Sequence, residues 1–259
     1  LWNLAEPKVA ILNRDDELSV YLGEKLRKTQ PKQEIFYYGF HQEADLRGIK
    51  PIFYGGGMNF EVIDKGVARK AFVPLPGLHN VSNALSALAV SRFFDIPLDD
   101  ALASLSKTAI TAQRLELKRG VNGAYIIDDS YNANPASTAA SLEVLKILPG
   151  RRKIAFLGTH GELGQIAERE HQQIGMKVRE LDIDYLLTLG KEGRWIAEGA
   201  LKMDMSKDRV ISFSDKEDSV KFLSQFMEKG DLVLVKGSRN MCMEEIVQAL
   251  VIERGGEEG

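Results

Sequence analysis

The sequence predicts an α/β chain in two parts: a small antiparallel sheet with helices, then a doubly wound, mostly parallel sheet. Three observations carry this. From residue 107 onward, short apolar runs alternate with segments of helical spacing, the rhythm of consecutive βα units. Before that point, runs rich in Ile, Phe, Tyr and Val follow one another closely, separated by Gly and Asp, as in hairpin-linked strands. The chain has 259 residues, 44% hydrophobic and 27% charged, which is ordinary for a folded protein and enough for two small cores.

Residues 9–13, "VAILN", read as a strand followed by the turn "NRDD". Leu18, Tyr21, Leu22 and Leu26 have helical spacing, giving a helix over about 16–28. "EIFYYGF", "IKPIFYG", "NFEVID" and "ARKAFVPL" are the strands of the antiparallel sheet, with a turn at the triple glycine 55–57. Pro76 and Gly77 punctuate the chain before two Ala/Leu-rich helices, about 79–93 and 98–105, joined at Asp95 and Pro97. Strands at 115–119 and 124–128 flank the turn "GVNG". Helices follow at 136–147, 167–180, 194–200, 216–227 and 244–251, interleaved with strands at 153–157, 185–188, 210–212 and 232–235. The domains are placed at 1–107 and 108–259, and the tail "ERGGEEG" is expected to fray.

A net charge of −3 gives no footprint for nucleic acid or an anionic membrane. No apolar run reaches the roughly 20 residues of a membrane helix. The single cysteine, Cys242, excludes an internal disulfide and a cysteine-based zinc site, consistent with a reducing cytoplasm. The opening "LWNLAEPKVAIL" lacks the basic region and cleavage site of a leader. With no initiator Met and a buried-type strand so near the start, a longer parent protein is expected.

The stretch "IIDDSYNANP", 126–135, ends a strand on two acids and adds more hydrogen-bonding groups than a turn needs. Ligands of α/β sheets bind outside strand carboxyl ends. Asp129 there can accept ribose hydroxyls, and Tyr131, Asn132 and Asn134 add donors and acceptors. Capping of the next helix accounts only for Asn134 before Pro135. Asp129 stands at a strand end, so its replacement by Ala is expected to leave stability nearly unchanged.

In "GLHNVSNALSALA", His79 opens a helix that carries Asn80 and Asn83 one turn apart. Asparagine competes for backbone bonds inside helices. Capping and packing stand against contact with an adenine edge, which a carboxamide can read with one donor and one acceptor. Arg114 in "AQRLEL" is either a bidentate phosphate clamp or an ion-pair partner. In "VKGSRNM", Lys236, Ser238 and Arg239 follow a strand and precede a helix, an arrangement that suits a carboxylate or phosphate; solvated surface charge is the alternative. Gly158, Gly161 and Gly164 do not match the dinucleotide fingerprint. His160, Glu162 and His171 lack the spacing of a zinc motif. No Gly-Lys pair is followed by Ser or Thr, so a P-loop is absent from this sequence.

In this order and spacing, "PLPGLHNVSNALSALAV", "AQRLEL", "IIDDSYNANPAS", "ELG" with His171, and "LVKGSR…MEEIVQAL" resemble the Mur ligases over nearly the whole chain. "VAILNRDDE" resembles a strand of that family's central ATPase domain. The resemblance implies the back part of that central domain followed by the Rossmann-like last domain. It implies ATP and Mg2+ as cofactors, with the P-loop lysine, the magnesium ligands and a carbamylated lysine outside this chain, so the chain alone is expected to be inactive. The "DDSYNANP" form implies the substrates UDP-N-acetylmuramoyl-tripeptide and D-alanyl-D-alanine. A cytoplasmic, monomeric full-length enzyme of cell-wall synthesis is implied. In that reading His79, Asn80 and Asn83 face adenine, Asp129 holds the ribose, and Arg114 reaches the phosphates. Tyr131, Asn132 and Asn134 line the substrate cleft. One departure stands out: the family has Gly-Asp-Met before "ELG", and here Gly158 precedes Thr159 and His160. Other readings are a folylpolyglutamate-type ligase, a non-catalytic nucleotide- or peptide-binding fragment, and a nicotinamide dehydrogenase.

Overall fold

A computed structural model describes residues 9–109 and 111–252. The chain divides into two compact units, Leu1–Ala109 and Ile110–Gly259. The tail "ERGGEEG", expected to fray, lies outside the described residues.

The first unit holds a five-stranded sheet in the order β1-β2-β3-β4-β5. Its strands are β1 (Val9–Asn13), β2 (Glu34–Gly39), β3 (Leu46–Tyr54), β4 (Gly57–Asp64) and β5 (Val67–Val73). The antiparallel expectation holds for β3, β4 and β5. It fails for "EIFYYGF": β2 runs parallel to both β1 and β3. α1 (Glu17–Thr29) supplies the crossover that carries the chain back between β1 and β2, while β3 pairs only its start, Leu46 and Arg47, with the end of β2, so residues 40–45 suffice to join those two. Asp16 caps α1 by accepting from Ser19 N at 2.7 Å. Asp15 instead accepts from Phe40 N and His41 N, pinning the end of β2. Gly55 and Gly56, at φ 66° and 82°, make the tight β3–β4 turn.

One face of this sheet packs on α2 (Leu78–Arg92) and α3 (Leu98–Leu105), through Phe36, Phe60 and Val62 against Val81, Leu85 and Leu88. The other face packs Ala10, Leu12 and Tyr37 on Leu26 of α1.

The second unit is a six-stranded sheet, β10-β9-β8-β11-β7-β6. It comprises β6 (Glu116–Arg119), β7 (Tyr125–Asp128), β8 (Lys153–Leu157), β9 (Tyr185–Leu189), β10 (Val210–Phe213) and β11 (Leu232–Lys236). All neighbours are parallel except β6 with β7. Period-two alternation sends Ile127, Ala155, Leu157 and Leu234 to one face, where they pack on α4 (Pro135–Ile147), α5 (Ala167–Glu180) and α6 (Gly193–Lys202). Ile126, Phe156, Val233 and Val235 face the other side, against α7 (Lys216–Phe226) and α8 (Glu244–Leu250).

The last strand, β11, lies between β7 and β8. The chain leaves β7 and β8 toward one helical layer and leaves β11 toward the other. This makes the carboxyl end of β11 a topological switch point, where open α/β sheets form a crevice. α5 and α6 meet backbone to backbone: a methyl at Gly175 would lie 1.9 Å from Ile196 O, and one at Gly199 would lie 2.0 Å from Gln172 O.

Candidate functional site

The candidate site of the second unit forms where β7, β11 and β8 end together. The two acids of "IIDDSYNANP" separate cleanly in role. Asp128 is buried and accepts from Ser130 Oγ at 2.6 Å and Lys118 Nζ at 2.7 Å. It ties the strand end to β6. Asp129 is 7% exposed and accepts from Ser141 Oγ at 2.5 Å, Lys236 Nζ at 2.6 Å and Leu115 N at 3.2 Å. The sequence suggests an open ribose acceptor here; the structure commits both carboxylate oxygens to internal donors.

Lys236 is neither open to substrate nor a solvated surface charge. It is 3% exposed, and its ammonium also donates to Asn132 O at 2.9 Å. Burial pushes its pKa down, with the nearby Arg114 charge acting in the same direction, while the Asp129 carboxylate works against both. A buried charge survives when it is paired and hydrogen-bonded, and Asp129 supplies that pairing.

The rest of "KGSR" is also rearranged. Ser238 is buried, and its backbone N–H donates to Thr159 O at 2.9 Å. The backbone N–H of Arg239 donates to Asn132 Oδ1 at 3.3 Å, while its exposed guanidinium pairs with Glu244 at 2.7 Å. The expected helix start beside these cations is displaced. Arg239–Met241 is a single 3-10 turn, and α8 begins only at Glu244 with two acids in its first turn. Those acids already occupy the positive end of the short helix.

Arg114 is exposed, and its guanidinium lies over the Tyr131 ring, 4.4 Å from the centroid. Tyr131 is 47% exposed. Gln113 and Leu115 on either side of Arg114 have φ 60° and 54°. A left-handed leucine is uncommon and costs on the order of 1–3 kcal/mol, a strain that persists only when the surroundings enforce it. The enforcing bonds are Leu115 N to Asp129 and Tyr131 N to Gln113 O at 3.2 Å. Asn134 caps α4 in a reciprocal box with Ser137, accepting from Ser137 N at 2.7 Å, so its carboxamide oxygen is already used. Asn132 stays exposed.

Sequence reasoning missed the polar face of α4. Asn134, Ser137, Thr138 and Ser141 recur at helical spacing, and that stripe was the available signal. Ser141 reaches Asp129, and Thr138 meets His160 Nε2 at 3.0 Å. His160 stacks on His171 with centroids 4.8 Å apart. His171 Nδ1–H donates to Ala167 O at 2.7 Å, so its Nε2 accepts the His160 backbone N–H at 2.9 Å. Burial pushes the His160 pKa down to about 3, with His171 and Lys236 adding to the effect. Among the described residues no group of three His, Cys, Asp or Glu gathers as a metal site.

In the first unit, the entry to α2 is set by Gly77 at φ 99°, and the helix has no side-chain cap. Asn80 Nδ2 donates back to Pro76 O at 2.8 Å. His79 is half-buried and Asn83 is exposed on the same helix.

Comparison with known proteins agrees with this architecture. The profile described as the Mur ligase middle domain matches residues 1–91, and that of the Mur ligase glutamate ligase domain matches 113–239. The chain is 37% identical over 254 residues to a Bacillus subtilis UDP-N-acetylmuramoyl-tripeptide–D-alanyl-D-alanine ligase, covering 96% of this chain and 54% of that protein. An Escherichia coli protein of the same name is 34% identical over 180 residues, covering 69% and 38%. A MurF structure from Acinetobacter baumannii superposes with a TM-score of 0.82 at 24% identity, covering 95% of this chain and 52% of the other. The chain thus spans about half the length of the Bacillus relative. With matched profiles on both units and the same fold, the chain belongs to the Mur ligase family.

Proposed function

We propose that this chain is part of an ATP- and Mg2+-dependent ligase that joins D-alanyl-D-alanine to UDP-N-acetylmuramoyl-tripeptide in the cytoplasm. The observation that carries the reading is the similarity, across nearly the whole chain, to the Bacillus ligase named for that reaction. The site supports it. An exposed guanidinium, Arg114, is held on a strained turn just before β6, beside the carboxyl end of β7, suited to phosphate oxygens.

In the proposed reaction the tripeptide carboxylate takes the γ-phosphoryl group of ATP, giving an acyl phosphate and ADP. The dipeptide amine then attacks the acyl carbon, phosphate leaves, and the nitrogen loses a proton. The share of this chain is positioning and charge stabilisation. Arg114 faces phosphate, while Tyr131, Asn132 and Arg239 offer exposed polar groups to the peptide substrates. His79, Asn80 and Asn83 offer polar groups to the nucleotide base, with Asn80 already giving one donor to Pro76. Mg2+ neutralises phosphate charge when bound; no ligand set for it is assigned to this chain.

The test uses the complete protein and follows ADP release. Release that requires both UDP-N-acetylmuramoyl-tripeptide and D-alanyl-D-alanine is expected. Release supported by a free amino acid in place of the dipeptide would assign the chain to another branch of the family.

A further inference from the structure

We infer that Lys236 is a positioning residue: through Asp129 it holds the strained turn that presents Arg114. The inference rests on the proposed function for the role of Arg114, and on geometry alone for the rest.

The contacts form one continuous path. Lys236 Nζ is bound to Asp129 Oδ2 at 2.6 Å, and the other oxygen of that carboxylate accepts Leu115 N at 3.2 Å. Leu115 and Gln113 both lie at positive φ, and Arg114 stands between them. The turn is tied a second time by Tyr131 N to Gln113 O at 3.2 Å, and Tyr131 carries the guanidinium on its ring. Lys236 also grips the Asn132 carbonyl at 2.9 Å, one residue beyond Tyr131. A single buried ammonium therefore anchors both sides of the Arg114–Tyr131 pair.

The carboxylate needs this anchor. Ser141 Oγ and Leu115 N are neutral donors, and a buried carboxylate with no cation is strongly disfavoured. Without Lys236 the carboxylate loses its ion partner on Oδ2 and turns toward water, which draws Oδ1 away from Leu115 N. A leucine at φ 54° then has no reason to stay there.

The experiment is hydrogen exchange on the complete protein, with Lys236→Met compared to wild type. Amide protection at Leu115 should fall at least tenfold, while protection of Ile154 and Phe156 in β8 stays within about threefold. In the ligase assay KM for ATP should rise at least tenfold, with KM for the dipeptide within about twofold. Unchanged protection at Leu115 overturns the inference, and a rise in the dipeptide KM alone returns Lys236 to direct substrate contact. If Lys236→Met fails to fold, Ser141→Ala decides. It frees one tether of Asp129 without leaving a charge unpaired, and a smaller fall at Leu115 alone is expected; no fall there overturns the inference. A protein without ligase activity leaves the exchange result standing, so the two readings fail separately.

Discussion

Lys236 and Asp129 form a buried ion pair at 2.6 Å between residues 107 positions apart in the sequence. Lys236 ends β11 and Asp129 directly follows β7, and the two strands are paired in register up to Val235 and Asp128. The pair closes the sheet at the edge of the site.

Asp129→Ala should therefore destabilise the second unit by about 3–5 kcal/mol, the cost of leaving a buried charge unpaired. The sequence alone suggests the opposite, since a strand-end acid reads as exposed. Urea unfolding followed by Trp195 fluorescence measures it. The double variant Asp129→Leu/Lys236→Met should recover most of the loss; a single variant as stable as wild type would remove the ion pair from the account of the fold.

His160 gives a pH dependence. Its folded pKa of about 3 lies below the ordinary 6.5, so the unfolded chain binds the extra proton as pH falls. The stabilisation is fully present above 6.5 and is lost from there down toward 3, with a slope approaching about 1.4 kcal/mol per pH unit. His160→Met should flatten stability between pH 6.5 and 4 relative to wild type. Parallel profiles for the two proteins would contradict this.

Gly175→Ala should cost at least about 1–3 kcal/mol, because the new methyl meets the Ile196 carbonyl and backbone has little room to yield. Melting temperature is the readout. Gly161→Ala is a control for added side-chain bulk, since its methyl would meet only Ser238 Cβ at 3.9 Å and its backbone is outside the left-handed region.

Arg239→Ala separates a substrate contact from a surface pair with Glu244. A surface pair contributes at most about 1 kcal/mol. As a contact to an anionic substrate, Arg239 should raise KM for D-alanyl-D-alanine or the UDP-linked substrate more than tenfold when removed, a loss of about 1.5–3 kcal/mol. KM for ATP should change much less. Unchanged KM values for both peptide substrates return Arg239 to the surface.

Much of this fold is legible in side-chain periodicity. The continuous apolar runs in 153–157 and 232–235 reflect strands buried on both faces, and the helical spacing in 167–180 reflects a helix buried on one. Neighbours are not legible that way. Period two tells a strand's faces but not its partners, so neither the insertion of β11 nor the parallel pairing of β2 could be read. The site shows the same limit. Asp129 and Lys236 were identifiable as chemistry-bearing residues at strand ends. Their mutual burial depends on a long-range pairing that no local pattern encodes. Asn134 was legible as a cap because capping is local.

The placement of β11 has a consequence for how the molecule comes into being. Until residues 232–236 emerge during synthesis, β7 and β8 have no strand between them, and each presents an open edge. Such long-range closure is slow because loop entropy is lost before the pairing is gained. The hinge of the candidate site, the turn bearing Arg114, precedes its anchor Lys236 by more than a hundred residues. A nascent or truncated chain ending before β11 thus carries every exposed polar group of "DDSYNANP" in an unassembled state. The site takes its described form only once β11 has paired with β7 and β8, so a chain cut before residue 232 should lose the Arg114 turn together with the Lys236–Asp129 pair.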